Sequence, residues 1–156
     1  MLTGHHWTSR RGAAFGKGVD RMYADDFARV WFKVSRDMRT YMEAHLAPTL
    51  TESQLNVLEY IMNHDQVKPS DLIDYVATTP AAITTLMDRM EKNGLIVRER
   101  DEKDRRIVRL KLTPKGLAEG KRGLEIRKRF FEQYLSRISS HNQQLLVYLL
   151  GKVSGL

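Results

Sequence analysis

The chain has 156 residues, 42% of them hydrophobic and 29% charged, with a net charge of +7. That length suits one compact domain with an appended helical part; no window approaches the roughly eighteen-residue apolar run of a transmembrane helix, and the basic start lacks the apolar segment of a secretory signal. Without cysteine, disulfides, thiolate metal sites and cysteine redox switches are excluded, a cytoplasmic location is expected, and the basic balance favours a polyanionic partner.

Residues 1–20 mix four glycines with Arg10, Arg11 and Lys17 and show no clean periodicity. They read as a basic N-terminal arm. From Phe27 onward, Phe27, Val30, Trp31, Val34, Met38 and Met42 recur at helical spacing, which predicts a long amphipathic helix over residues 20–46, closed by Pro48. Thr51 and Gln54 form a capping box, and Leu50 and Leu55 occupy the positions of a hydrophobic staple. They open a helix over 52–63 that buries Leu55, Val57, Leu58, Ile61 and Met62. Pro69 opens a short helix with Leu72, Ile73 and Val76 inward. Residues 77–79 (ATT) make a tight connection. Thr79 then caps, and Pro80 takes the first position of a helix over 80–94. Ile83, Leu86, Met87 and Met90 supply its buried stripe, and Gly94 ends it. Two helices at this separation form a helix-turn-helix.

The period then changes. LIVRER (95–100) and IVRLKL (107–112) alternate as strands around the loop DEKDRR. Thr113 and Pro114 repeat the cap-then-proline pattern and start a long helix. Its first turns carry Gly116, Gly120 and Gly123, each costing up to ~1 kcal/mol of helix propensity, so that segment is either weak or closely packed. Leu124, Phe130, Phe131, Tyr134, Leu135 and Ile138 make the remainder apolar. Ser139 and Ser140 interrupt, and Leu145, Leu146, Leu149, Leu150 and Val153 form a last short helix. The fold class is therefore mainly α with a small β-hairpin: a winged helix-turn-helix over 48–116, flanked by helices at 21–47 and 117–156. Those outer helices carry more apolar surface than so small a domain covers, which calls for a partner subunit.

On the exposed face of helix 80–94 lie Ala81, Ala82, Thr84, Thr85, Asp88 and Arg89. Small residues let the backbone approach a surface, Ala and Thr methyls can pack on thymine methyls, and Arg89 reaches guanine or phosphate. Such residues are also ordinary on a helix surface; the preceding helix, Thr79 and the hairpin favour the functional reading. Residues 98–111 hold seven Lys or Arg against four Asp or Glu. A run of this kind is usually a solvated turn. Beside a capped helix-turn-helix, Lys103, Arg105 and Arg106 suit a minor groove, while Arg98, Arg100, Arg109 and Lys111 suit phosphates. Asp101 and Asp104 are then expected to orient the arginines.

From LTESQLNVLEYI through PSDLIDYVATTPAAITTLMDRMEKNGLIVRERDEKDRRIVRLKLTPKG, residues 50–116 resemble the MarR family of bacterial transcription regulators. The most specific part is D-x-x-D-R-R followed by L-x-L-T-x-x-G, from Asp101 to Gly116. The flanking helices match in length and order, so the resemblance covers nearly the whole chain. It implies a homodimer whose first and last helices interlock over a pseudo-palindromic double-stranded DNA operator. It also implies that helix 80–94 enters the major groove and the wing arginine, Arg106, the minor groove, with Arg105 beside it. A small aromatic or phenolic effector that releases a repressor is a further implication, although the residues of a ligand pocket are not legible.

Other patterns are weaker. His5 and His6, with His45, His64 and His141, lack metal-ligand spacing, and Gly16-Lys17-Gly18 lacks the spacing of a phosphate loop. No nucleophile–base pair, metal triad or cofactor loop is visible. Neither an enzyme nor a cofactor is expected. The competing reading is a winged helix used only for protein interaction or dimerisation, which would not need so many wing arginines.

Overall fold

A computed structural model describes residues 21–101 and 104–155; the basic arm expected at 1–20 and Lys103 lie outside the described residues. Among these, the elements run α1 (Arg21–Leu46), α2 (Glu52–Asn63), α3 (Asp71–Tyr75), α4 (Pro80–Lys92), β1 (Ile96–Arg100), β2 (Val108–Leu112), α5 (Pro114–Leu135) and α6 (Ser140–Ser154). The strands pair antiparallel, with Ile96 opposite Leu112, Arg98 opposite Leu110 and Arg100 opposite Val108.

Local capping accounts for most of the boundaries. Thr51 accepts the amide hydrogen of Gln54 at 3.3 Å while the Gln54 side chain accepts that of Thr51 at 2.9 Å, the reciprocal box expected of these residues. Thr79, Thr113 and Ser139 each accept from the amide three residues on. Gly94 adopts φ 66° after α4, the left-handed conformation that glycine reaches without a Cβ clash. Several boundaries differ from expectation. Pro69 does not open α3; Lys68–Ser70 form a turn in which the Asp71 carboxylate accepts the Lys68 amide at 2.8 Å, and the helix starts at Asp71. Each strand starts one residue later than the pattern suggests. The long helix stops at Leu135, so Ile138 lies in the turn before α6.

Backbone contacts divide the chain between Ser35 and Arg36, part-way along α1. In the part before the division, Phe27 and Trp31 stack at 6.0 Å and Asp26 pairs with Arg29 at 2.6 Å. Met22, Tyr23, Phe27, Val30, Trp31 and Phe32 are all exposed there.

In the part from Arg36 onward, one core joins the end of α1 (Met42, Leu46) to α2 (Leu55, Val57, Leu58), Leu72 of α3, α4 (Ile83, Met87, Met90) and the hairpin (Leu95, Ile96, Leu110). Ile73 and Val76, expected inward, are partly buried against it. Val67 adds one rung to the edge of β2, its carbonyl accepting from the Leu110 amide at 2.8 Å. The glycines of α5 are explained by close packing. A Cβ on Gly116 would lie 1.9 Å from the Leu95 carbonyl oxygen, and one on Gly123 would lie 2.6 Å from Leu55 Cδ1. The start of α5 therefore rests directly on backbone and on α2. By contrast, no residue of α6 is buried among those described, and Leu145, Leu146, Val147, Tyr148, Leu149, Leu150 and Val153 are exposed.

A polar hub ties the end of α1 to α5. The Arg122 guanidinium donates to the His45 carbonyl at 3.1 Å, to the Leu46 carbonyl at 3.2 Å and to Thr49 Oγ1 at 2.6 Å, and it pairs with Glu119 at 2.9 Å. The Thr49 hydroxyl donates to Glu119 at 2.7 Å. That hydroxyl, followed by the Arg122 guanidinium, holds the Glu119 carboxyl below its usual range.

Two stability predictions follow from this packing. Gly116→Ala should destabilise the protein by about 3 kcal/mol, the upper end for overpacking, against a gain of up to ~1 kcal/mol in helix propensity; Gly123→Ala should cost less because a flexible leucine tip can move. Urea denaturation measures both. The depressed Glu119 pKa means its stabilisation is present above the ordinary carboxylate value and lost as pH falls through the folded value. Wild type should therefore exceed Glu119→Gln in stability near neutral pH, and the two should converge in acid.

Candidate nucleic-acid interface

At 100° per residue, Ala81, Ala82, Thr84, Thr85, Asp88 and Arg89 share an arc of about 160° on α4. All six are exposed, while Ile83, Met87 and Met90 face the core. Thr79 at the cap is also exposed. Its oxygen accepts the Ala82 amide hydrogen at 3.3 Å, and its own hydrogen remains available to an acceptor. Thr84 and Thr85 turn their hydroxyls back onto the helix, donating to the Pro80 carbonyl at 3.0 Å and the Ala81 carbonyl at 3.1 Å.

The hairpin sorts its cations. Arg98, expected to reach phosphate, instead pairs with Asp88 of α4 at 2.7 Å. The Arg98 amide also donates to Glu91 at 3.2 Å, fastening β1 to α4. The Arg98 side chain is only 29% exposed, and its charge neutralises an acid on the exposed face of α4. Arg109, likewise expected at phosphate, holds Asp101 at 2.7 Å and donates to the Gln66 carbonyl at 3.3 Å. It thereby anchors the wing base to the loop before α3. Lys111 pairs with Glu99 at 2.5 Å. Arg100 is exposed and has no acidic partner among the described residues.

Asp101 and Asp104 divide the work between them. Asp101 receives Arg109 and the Asp104 amide, the latter at 3.1 Å, so it shapes the base of the turn. Asp104 takes Arg106 as a fork: Nε and Nη2 each donate to its carboxylate at 3.0 Å, and the Arg106 amide donates to it at 3.0 Å. The Arg106 side chain lowers the pKa of its partner Asp104 below the ordinary carboxyl value, with the Arg106 amide second; the Arg106 guanidinium is raised in return. Even so, the Arg106 side chain is 91% exposed. Arg105 beside it is exposed as well. Asp88 was legible only as one member of a helix face. Its pairing with Arg98 has no local sequence signal, because it joins two elements whose packing must first be known.

A helix-turn-helix with an exposed small-residue face, followed by a hairpin with a cationic tip, is the architecture of a winged-helix DNA-binding protein. No helix among the described residues is long and apolar enough to cross a membrane. Residues 50–108 match the model of the MarR family. The chain is 28% identical to the HTH-type transcriptional repressor MdtR of Bacillus subtilis over 141 residues, 88% of this chain and 89% of the relative. It is 31% identical to the transcriptional regulator HosA of Escherichia coli O157:H7 over 109 residues, 70% of this chain and 81% of the relative. Among solved structures, a MarR family protein of Mycobacterium tuberculosis in complex with p-aminosalicylic acid is similar at a TM-score of 0.67 and 21% identity, covering 81% of this chain and 97% of that one. The chain belongs to the MarR family and is a DNA-binding transcription regulator, which decides against a winged helix used for protein interaction alone. These relatives are regulators rather than enzymes.

The sorting of wing charges predicts unequal costs of truncation. Arg109→Ala, which strips a partly buried carboxylate of its partner, should cost about 1.5–3 kcal/mol. Lys111→Ala, in a largely exposed pair, should cost less than about 1 kcal/mol. Chemical denaturation of the two variants checks the order.

Proposed function

We propose that this regulator acts as a homodimeric repressor of a pseudo-palindromic operator, with α4 in the major groove and the wing tip in the adjacent minor groove. The observation that carries this reading is the difference in exposure among the cations: Arg98 and Arg109 are 29% and 23% exposed in ion pairs that brace the lobe, whereas Arg105 and Arg106 lie exposed at the turn of the hairpin, Arg106 at 91% even while Asp104 holds it. Thr79 donates to phosphate at the start of α4, and Ala81, Ala82, Thr84, Thr85 and Arg89 meet base edges. The exposed apolar rows of α6 and of the first half of α1 supply the dimer surface. Lys103, between Asp101 and Asp104 in the sequence, is a further basic residue available to DNA.

Repression is supported by the name of the B. subtilis relative. Release by a small aromatic or phenolic effector is supported by the M. tuberculosis family protein, whose structure holds p-aminosalicylic acid. Such an effector would act by binding the conformation incompetent for DNA more tightly than the competent one.

DNA retention across a salt series tests the wing. Arg106→Ala should weaken binding and flatten the dependence of log K on log salt by about one per wing. Asp104→Asn should weaken it too, although it removes a negative charge, because the guanidinium loses its fork. Affinity unchanged by Arg106→Ala at every salt concentration would refute the wing assignment.

A further inference from the structure

The base-reading part of α4 is nearly devoid of hydrogen-bond donors. Pro80 has no N–H, Ala81 and Ala82 have no polar side-chain atom, and the hydroxyl hydrogens of Thr84 and Thr85 are spent on the Pro80 and Ala81 carbonyls. A threonine hydroxyl has one hydrogen, so each presents outward only lone pairs and a methyl group. In the major groove, guanine N7 and O6, adenine N7 and thymine O4 are acceptors and call for a donor, which the side chains of these two turns lack. What they offer is four methyl groups, with Ala81 and Thr85 one helical turn apart and Ala82 and Thr84 flanking them. The first side-chain donor on this arc is Arg89, a further turn along.

We propose that the first two turns of α4 select thymine by its 5-methyl group, with Ala81 and Thr85 as the central contacts, while Arg89 supplies the donor for a guanine or phosphate farther along the groove. This rests on the placement of α4 in the major groove. The Thr85 hydroxyl acts as a positioning group: donated to the helix, it sets the χ1 that aims the methyl outward. The Asp88–Arg98 pair supports the same readout, since it removes a net negative charge from the face that approaches the DNA.

The test uses the full-length protein and a duplex that it selects from a random-sequence pool. Replacing each contacted thymine by deoxyuridine deletes the methyl and nothing else from the pair, and should weaken binding about fourfold per methyl, the factor carried by burial of one such group. Putting a 5-methylcytosine·guanine pair in place of a contacted thymine·adenine pair restores the methyl, and should bind more tightly than its unmethylated counterpart. Thr85→Val, which keeps the methyl, should retain the preference for thymine over deoxyuridine, and Thr85→Ser, which keeps only the hydroxyl, should lose it. Equal binding of thymine and deoxyuridine duplexes, or loss of the preference in Thr85→Val with retention in Thr85→Ser, overturns methyl readout while leaving α4 in the groove. If Ala81→Glu leaves binding of the selected duplex intact, α4 itself is not at the interface, and the underlying reading fails with it.

Discussion

Thr113 stands where four elements meet. Its hydroxyl donates to the Gly94 carbonyl at 2.6 Å and accepts from the Gly116 amide at 2.9 Å, while its own amide donates to the Leu95 carbonyl at 3.1 Å. One residue thus joins the loop after α4, the start of β1, the end of β2 and the first turn of α5. Gly116 allows this convergence, because any side chain there would meet the Leu95 carbonyl. The position of α4 relative to the wing, and so the spacing at which the two can address one duplex, depends on this junction.

Around it, charge is used for construction before recognition. Ion pairs between exposed side chains contribute little to stability, but Arg109–Asp101 and Arg98–Asp88 are partly sheltered and each joins separate elements. Arg98–Asp88 ties β1 to α4, and Arg109–Asp101 closes the base of the wing turn while Arg109 also donates to the Gln66 carbonyl in the loop before α3. A preorganised wing loses less side-chain and loop entropy on docking. The Asp104–Arg106 fork applies the same logic to one exposed side chain: the acid sacrifices net positive charge and fixes the direction of the guanidinium.

The helix caps, the recognition-helix face and the hairpin were legible in the sequence because their signals are local. A threonine followed by proline, or by glutamine three residues on, acts within one turn, and alternation acts within one strand. The glycines of α5 were legible only as an anomaly, and Leu95, Leu55 and Met62 supply the explanation from elsewhere in the chain. The ion pairs of Arg98, Arg109 and Lys111 were not legible, because a cation's partner depends on which acid the fold brings within reach. Asp88 lies ten residues before Arg98, and no periodicity links them.

By itself, then, the sequence determined which segments are helix or strand, where the threonine- and serine-capped helices start, and that a cationic hairpin follows a capped helix of small residues. These properties depend on side chains within a few positions of one another. Tertiary structure alone decided which cations face outward and why α5 needs glycine at its start. Each depends on contact or exposure in the folded chain: a charge is available to DNA only where the fold leaves it exposed, as it leaves Arg106 even in its pair with Asp104 while sheltering most of Arg109.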